Sequence, residues 1–219
     1  MTATLLFRQI FAHQPNRRFV RTCCIDQEGT AWYHFDRSGL YENFAGFYNE
    51  DPHKFIRLIL GLGSLDEEIL GLDTSIRWKL DDRGRKATGT VTVVDDETKT
   101  LKEYEMARVE PTFRKSSIYG AGTVVWVVKD SESGEQVLIK DYWRGDGEEW
   151  VSECKNLKGA RGLEGVVQMI LCEEDRCQTK DFAGFWVYDP QWTNFVHSRI
   201  VMEKYGDHLF NFSSEKQLL

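Results

Sequence analysis

Ile118-Tyr119-Gly120-Ala121-Gly122-Thr123-Val124-Val125-Trp126-Val127-Val128 sets two glycines between apolar runs, and Val137-Leu138-Ile139-Lys140 follows as a short apolar strand that ends in a lysine. A glycine-bearing turn of this kind can fold its backbone over phosphate groups, because glycine adopts positive φ and lets the chain approach a ligand closely. The same letters also serve an ordinary hairpin turn. A lysine closing an apolar strand can neutralise phosphate charge when a carboxylate holds it in place, or it can extend to water along its own apolar stem.

Downstream, residues 148–158 predict a helix whose inward stripe is Trp150, Cys154 and Leu157, with Glu149 and Glu153 sharing another face at i, i+4. Either acid is a partner for Lys140 or a solvated carboxylate. Residues 165–170 and 199–206 are the next two expected strands, the second running into a linker that includes Met202, Glu203 and Tyr205. Between them, Asp181-Phe182-Ala183-Gly184 is expected as a turn.

Upstream, residues 4–13 predict a helix with Leu6, Ile10 and His13 on one face, ended by Pro15-Asn16. Two aromatic runs, 19–25 and 30–35, separated by Asp26-Gln27-Glu28-Gly29, predict a β-hairpin, and Arg37-Ser38-Gly39 ends the second run as a turn. Asp51-Pro52 is a strong helix entry ahead of the stripe Phe55, Ile56, Ile59, Leu60, and Ser64 with Glu67 fits a capping box for a short helix ending at Gly71. A second hairpin is expected from 90–94 and 101–106. The pattern changes near Pro111, so a boundary is expected between an N-terminal region, 1–110, and a second unit, 111–219.

Loop, lysine, helix acid and hinge stand in the order of a kinase small lobe, and the chain resembles fungal-type protein kinases. Gln14-Pro15-Asn16-Arg17-Arg18-Phe19-Val20, Trp32-Tyr33-His34-Phe35-Asp36-Arg37-Ser38-Gly39, Glu50-Asp51-Pro52 and Leu70-Gly71-Leu72-Asp73 add the region that this family carries ahead of the lobes. The resemblance implies an α+β fold, with a family-specific N-terminal α+β region before an antiparallel small-lobe sheet and one main helix. It implies Lys140 and Glu153 as the catalytic-site ion pair; Glu153 is preferred because Leu157 follows one turn later, as in kinase small lobes. It further implies ATP binding through Gly120, Gly122, Val127, Leu138, Lys140, Met202, Glu203 and Tyr205.

The departures matter as much. Val125 stands at the usual third glycine, and Leu138 replaces the small residue that normally roofs the adenine. The catalytic-loop aspartate and the magnesium-holding asparagine and aspartate belong to the large lobe, and no such motif follows the hinge, so the chain is expected to be cut there and also ahead of Met1. Asp181 to Gly184 precedes the hinge and cannot supply the metal aspartate. The expected function is a kinase-family ATP-binding fragment, inactive alone, with magnesium relevant only beside a large lobe. Alternatives are a non-catalytic, pseudokinase-like interaction module and a small-molecule phosphotransferase. An uncovered lobe face near Met202, Tyr205, Leu209 and Phe210 would favour self-association or a protein partner. The N-terminal region is expected to pack on the lobe through residues such as Trp32, Phe35, Phe55 and Ile59.

Composition sets the remaining bounds. A 219-residue chain with 41% hydrophobic and 13% aromatic residues can build real cores. A net charge of −7 disfavours nucleic acid and anionic membranes as partners. Cys23, Cys24, Cys154, Cys172 and Cys177 form no CxxC pair, so neither a disulfide framework nor a zinc site is suggested. No apolar run approaches the length of a bilayer span, and an intracellular protein, cytoplasmic or nuclear, is expected.

Overall fold

Two phenyl rings one helical turn apart set the first contact. Phe7 and Phe11 lie on α1 (Ala3–His13), and both are buried, with Phe7 4.9 Å from the ring of Phe35. Of the expected face, Ile10 packs beside the rings and His13 is exposed, and the Leu6 side chain lies outside the described residues. Burying two phenyl rings removes more apolar area than burying one isoleucine, so the rings set the buried face. The computed structural model describes residues 3–27, 29–44, 50–115, 117–147, 149–184 and 192–204.

Under α1 lies a three-stranded antiparallel meander, β1 (Val20–Asp26), β2 (Gly29–Asp36) and β3 (Gly39–Phe44), with Val20 opposite Phe35 and Trp32 opposite Asn43. The hairpin is as expected, and β3 extends it although its apolar residues do not form a continuous run. α2 (Pro52–Leu62) is capped by the Asp51 carboxylate, which accepts from the Lys54 backbone N–H. Most of its expected stripe faces outward, with Ile56 and Leu60 more than half exposed, while Phe55 is half-buried with its ring 6.4 Å from that of Trp32. The opposite side, with Arg57 and Leu58, closes a cavity of about 680 Å³ against Trp32 and Tyr41. No helix forms at 64–71. Ser64 instead accepts from the Asp66 N–H, a tighter turn than the capping box requires, and Gly71 at φ +88° lies so close to Phe19 that a side chain would strike its carbonyl.

The rest of the chain builds a single antiparallel sheet. Its strands are β4 (Ile76–Leu80), β5 (Lys86–Val94), β6 (Leu101–Met106), β7 (Phe113–Arg114), β8 (Val124–Asp130), β9 (Gln136–Gly145), β10 (Met169–Gln178) and β11 (Phe195–Glu203). They lie in the order β10-β11-β9-β8-β6-β5-β4, with β7 also on β8. β6 pairs with β8 at Val128 to Asp130, and β7 pairs with it at Val124 and Val125. One core unites Val91, Val93 and Tyr104 with Trp126, Val128, Ile139 and Val201, all essentially inaccessible. The expected boundary at 110 and 111 thus falls inside a continuous sheet, between strands that share hydrogen bonds and a core.

On the other face, α3 (Glu153–Gly159) covers Tyr142, Met169, Cys172, Ile200 and Met202 with Cys154 at its centre. It starts later than the predicted 148–158. Ser152 caps it, and Trp150, expected inside, lies ahead of the helix and is half exposed. β10 begins at Met169 because Gly162 and Gly165, both at positive φ, turn the chain before it. β11 starts at Phe195, four residues earlier than its apolar letters suggest. His197 hides that start, since it is buried against Trp143 and an ion cluster rather than by aliphatic neighbours.

That cluster fills the interior between the meander and the sheet. Arg199 donates to both oxygens of Asp141 at 2.7 and 3.0 Å and to Asp73 at 3.3 Å, and Arg176 and Arg18 also reach Asp73, at 2.9 and 3.1 Å. Burial works against the charge on Asp73, but Arg176, Arg199 and Arg18 outweigh it and hold its pKa well below the usual carboxylate range. His197 stacks on Trp143 with centroids 4.7 Å apart, and burial pushes its pKa down to about 4 despite Asp141 at 3.5 Å. A short helix, α4 (Lys180–Ala183), stands where the 181–184 turn was expected.

Candidate functional site

Alternation along β9 decides what meets what. Leu138, Lys140 and Tyr142 face α3, whereas Ile139, Asp141 and Trp143 face the opposite side. Glu153 is the first residue of α3, so its carboxylate projects from the helix start toward β9. The Lys140 ammonium donates to both Glu153 oxygens, at 2.6 and 2.7 Å, and lies 5.6 Å from the Tyr142 ring. Lys140 is about a quarter exposed and Glu153 about a third. Glu149 precedes the helix, and its carboxylate lies against Gly147.

At this degree of exposure an ion pair stabilises a fold by about 1 kcal/mol or less, so stability alone gives little reason for the two-oxygen geometry. What the geometry does achieve is position: it fixes a partly exposed ammonium between β9 and the start of α3. Tyr142 lies beside it under α3, its hydroxyl pKa raised first by burial and then by Cys154 and Glu153.

The wall next to the ion pair is a cross-strand row. Val127 of β8 pairs with Leu138 of β9, which pairs with Met202 of β11. Val127 and Met202 are buried and Leu138 is half-buried, whereas Glu203 is exposed at the strand end. Tyr205, Leu209 and Phe210 lie outside the described residues. Met202 is buried under α3, so it is not part of an uncovered apolar face.

The glycine turn is tethered. Gly120 takes φ +86° with open space beside it, and its N–H donates to the Arg37 carbonyl at 3.0 Å. Gly122 takes φ +46°, and a Cβ there would fall on the Arg37 guanidinium. Arg37 in turn donates to the carbonyls of Ser117 and Ile118 at 3.2 and 2.8 Å. Burial lowers its pKa to about 10, so it stays charged at neutral pH. Val125, at the expected third-glycine place, sits within β8 between Phe113 and Lys140. Extended backbone suits valine, and no positive φ is needed there.

A family model described as fungal protein kinase matches residues 4–182. The chain belongs to the fungal protein kinase family. Comparison with curated proteins gives no match, and comparison with solved structures gives none either. The match runs through both the meander and the sheet as far as α4, so this fungal protein kinase chain carries the family pattern on both sides of residue 110. No helix among the described residues is long and apolar enough to cross a membrane.

Sequence reasoning missed two features of this fungal protein kinase chain, the Arg37 tether and the Asp73 and Asp141 ion cluster. A signal existed for the second: Asp141 directly after Lys140, and Arg199 inside an apolar strand, are costly unless paired. Nothing in the letters pairs Arg37 with the glycine turn, because the contact joins residues about 80 apart.

Proposed function

We propose that this chain is the nucleotide-holding part of a fungal-type protein kinase, and that ATP is its ligand. The observation that carries the reading is Lys140 held by both oxygens of Glu153 beside the Val127, Leu138 and Met202 row. In kinase small lobes this pair directs a cation at the phosphates of ATP. Gly120, with open space beside it, suits close approach of phosphate, whereas the corresponding space at Gly122 is taken by Arg37. In this reading Leu138 and Val127 contact the adenine, Met202 and Glu203 mark the linker end, and Lys140 holds the phosphates. Transfer of the phosphoryl group to a protein hydroxyl is the activity of complete kinases, and magnesium enters only with large-lobe residues.

The test is calorimetric titration of ATP and adenosine into the parent and Lys140→Met. Loss of ATP affinity with adenosine binding unchanged supports the reading; equal ATP binding by both proteins rejects it. A second reading, a non-catalytic interaction module, is favoured by Trp150, Val151 and Leu163, which flank α3 and are each at least half exposed. Absence of any nucleotide binding by the folded chain would select it.

A further inference from the structure

Beneath α3, away from the Lys140 ammonium, two thiols and a carboxylate converge. The Sγ atoms of Cys154 and Cys172 and a carboxylate oxygen of Glu174 lie within 4.8 Å of one another. Cys154 belongs to the first turn of α3, whereas Cys172 and Glu174 are i, i+2 neighbours on β10, so helix and strand face each other across this point. Both cysteines are buried and Glu174 is half-buried.

Three observations distinguish this group from idle core cysteines. The strand is pinned on both sides of the cluster, since the Asp96 N–H donates to the Cys172 carbonyl at 3.0 Å and the Asp96 carboxylate accepts from the Glu174 N–H at 2.6 Å. The Ser152 hydroxyl donates to the Glu174 carboxylate and orients it toward the thiols. Lys158, paired with Glu97 at 3.4 Å, sits beside Cys172, where its charge can offset an anionic sulfur. Around the group, Met169, Leu157 and Val167 supply an apolar shell that strengthens any bond between sulfur and a cation.

We propose that Cys154, Cys172 and Glu174 bind a thiophilic divalent cation, zinc foremost, which ties α3 to β10. Thiolate and carboxylate donors on a compact, half-closed site suit zinc, with solvent in the fourth position. Binding displaces the two thiol protons to solvent. Two thiolates and a carboxylate against a dication leave one negative charge, which Lys158 balances. A disulfide between the cysteines would use neither Glu174 nor Lys158. Because Glu153 immediately precedes Cys154, an occupied site also fixes the helix turn that presents the Glu153 carboxylate to Lys140. The metal site stands independently of nucleotide binding.

The experiment is cobalt titration of the chelator-stripped, reduced 219-residue chain, read by absorption. One equivalent is expected to raise a near-ultraviolet thiolate-to-cobalt charge-transfer band, which zinc then abolishes. Cys154→Ser and Cys172→Ser should each lose the band and Cys177→Ser should keep it, while Ser152→Ala should weaken binding by about 10–100-fold. Should the serine variants not fold, the parent decides: zinc must slow alkylation of Cys154 and Cys172 while leaving Cys23, Cys24 and Cys177 unchanged. A folded parent with no band and no zinc-dependent protection overturns the proposal, as does a band that persists in folded Cys154→Ser. A Cys154–Cys172 disulfide that re-forms under the reducing conditions of the titration overturns it too.

Discussion

Asp73 and Arg199 lie 126 residues apart in sequence and meet at 3.3 Å in the protein interior. Arg199 is wholly buried and Asp73 nearly so, and Arg176 and Arg18 complete the cluster around the same carboxylate. Removing Asp73 takes the shared carboxylate from three arginines at once, whereas removing Arg199 leaves Asp73 with Arg176 and Arg18 and leaves Asp141 with Arg176 and His197. Asp73→Ala is therefore expected to destabilise the fold by about 3–5 kcal/mol, and Arg199→Leu by less. Urea unfolding of the two variants checks the ranking; equal losses would show that the cluster does not centre on Asp73.

His197 gives the cluster an acid limit. Its pKa falls from 6.5 unfolded to about 4 folded, since burial resists its charge and the nearby Arg176 adds to that resistance while Asp141 opposes it. The unfolded chain therefore binds more protons between those two values. The stability contribution is complete above pH 6.5 and is lost as pH falls toward 4, by up to about 3 kcal/mol. His197→Gln should flatten the stability curve between pH 6.5 and 4, as followed by thermal melts across that range. An unchanged slope would place the acid sensitivity elsewhere.

How far the fold could be read from letters depended on where the partners lie. The first hairpin, the α2 cap, and the strands around Val127 and Ile139 were legible because their cause is local: alternation, a capping Asp and glycine turns. The choice of Glu153 over Glu149 beside Lys140 came instead from the family resemblance, since local spacing left both acids open. The start of β11 was not legible, because His197 and Ser198 read as surface residues until Asp141 and Trp143 are brought to His197. The capping box at Ser64 failed because two residues, not three, separate donor and acceptor in the turn that forms. Similarly, the meeting of Cys154 with Cys172 and Glu174 depends on α3 packing against β10, which no local spacing encodes.

The Arg37 tether predicts that the two glycines of the turn differ. Both have positive φ, but only at Gly122 does a Cβ meet another residue, the guanidinium of Arg37. Gly120→Ala should cost only backbone strain, about 1–2 kcal/mol. Gly122→Ala adds displacement of a buried, hydrogen-bonded arginine and should cost about 1–3 kcal/mol more. Melting curves of the two variants side by side test this, and equal losses would mean that Arg37 yields freely.

In the proposed reading this chain holds the nucleotide, whereas phosphoryl transfer also needs a proton-accepting aspartate and metal-holding residues of a large lobe. Purified protein with magnesium, labelled ATP and mixed protein substrates should therefore show background incorporation only. Turnover that disappears in Lys140→Met would refute this, and would assign the missing roles to residues not yet recognised.

Leu138 offers the sharpest test of the proposed adenine contact. It lies between Val127 and Met202 in the cross-strand row, on the same face as Lys140, and in the proposed reading its side chain is the wall against which the adenine ring lies. A side chain larger than the slot accommodates must displace the ring or its neighbours, which costs about 1–3 kcal/mol and weakens binding by roughly one to two powers of ten. Leu138→Ala should recover that factor for both ATP and adenosine. The substitution also removes apolar contact with the α3 cluster, and because Leu138 is only half-buried the loss of stability should fall near the lower end of the range of about 2–5 kcal/mol for leucine truncations. Calorimetry and thermal melts on the same preparation separate the two effects. If the variant remains folded and binds neither ligand more tightly, Leu138 is not an adenine contact, and the nucleotide must be sought away from this row.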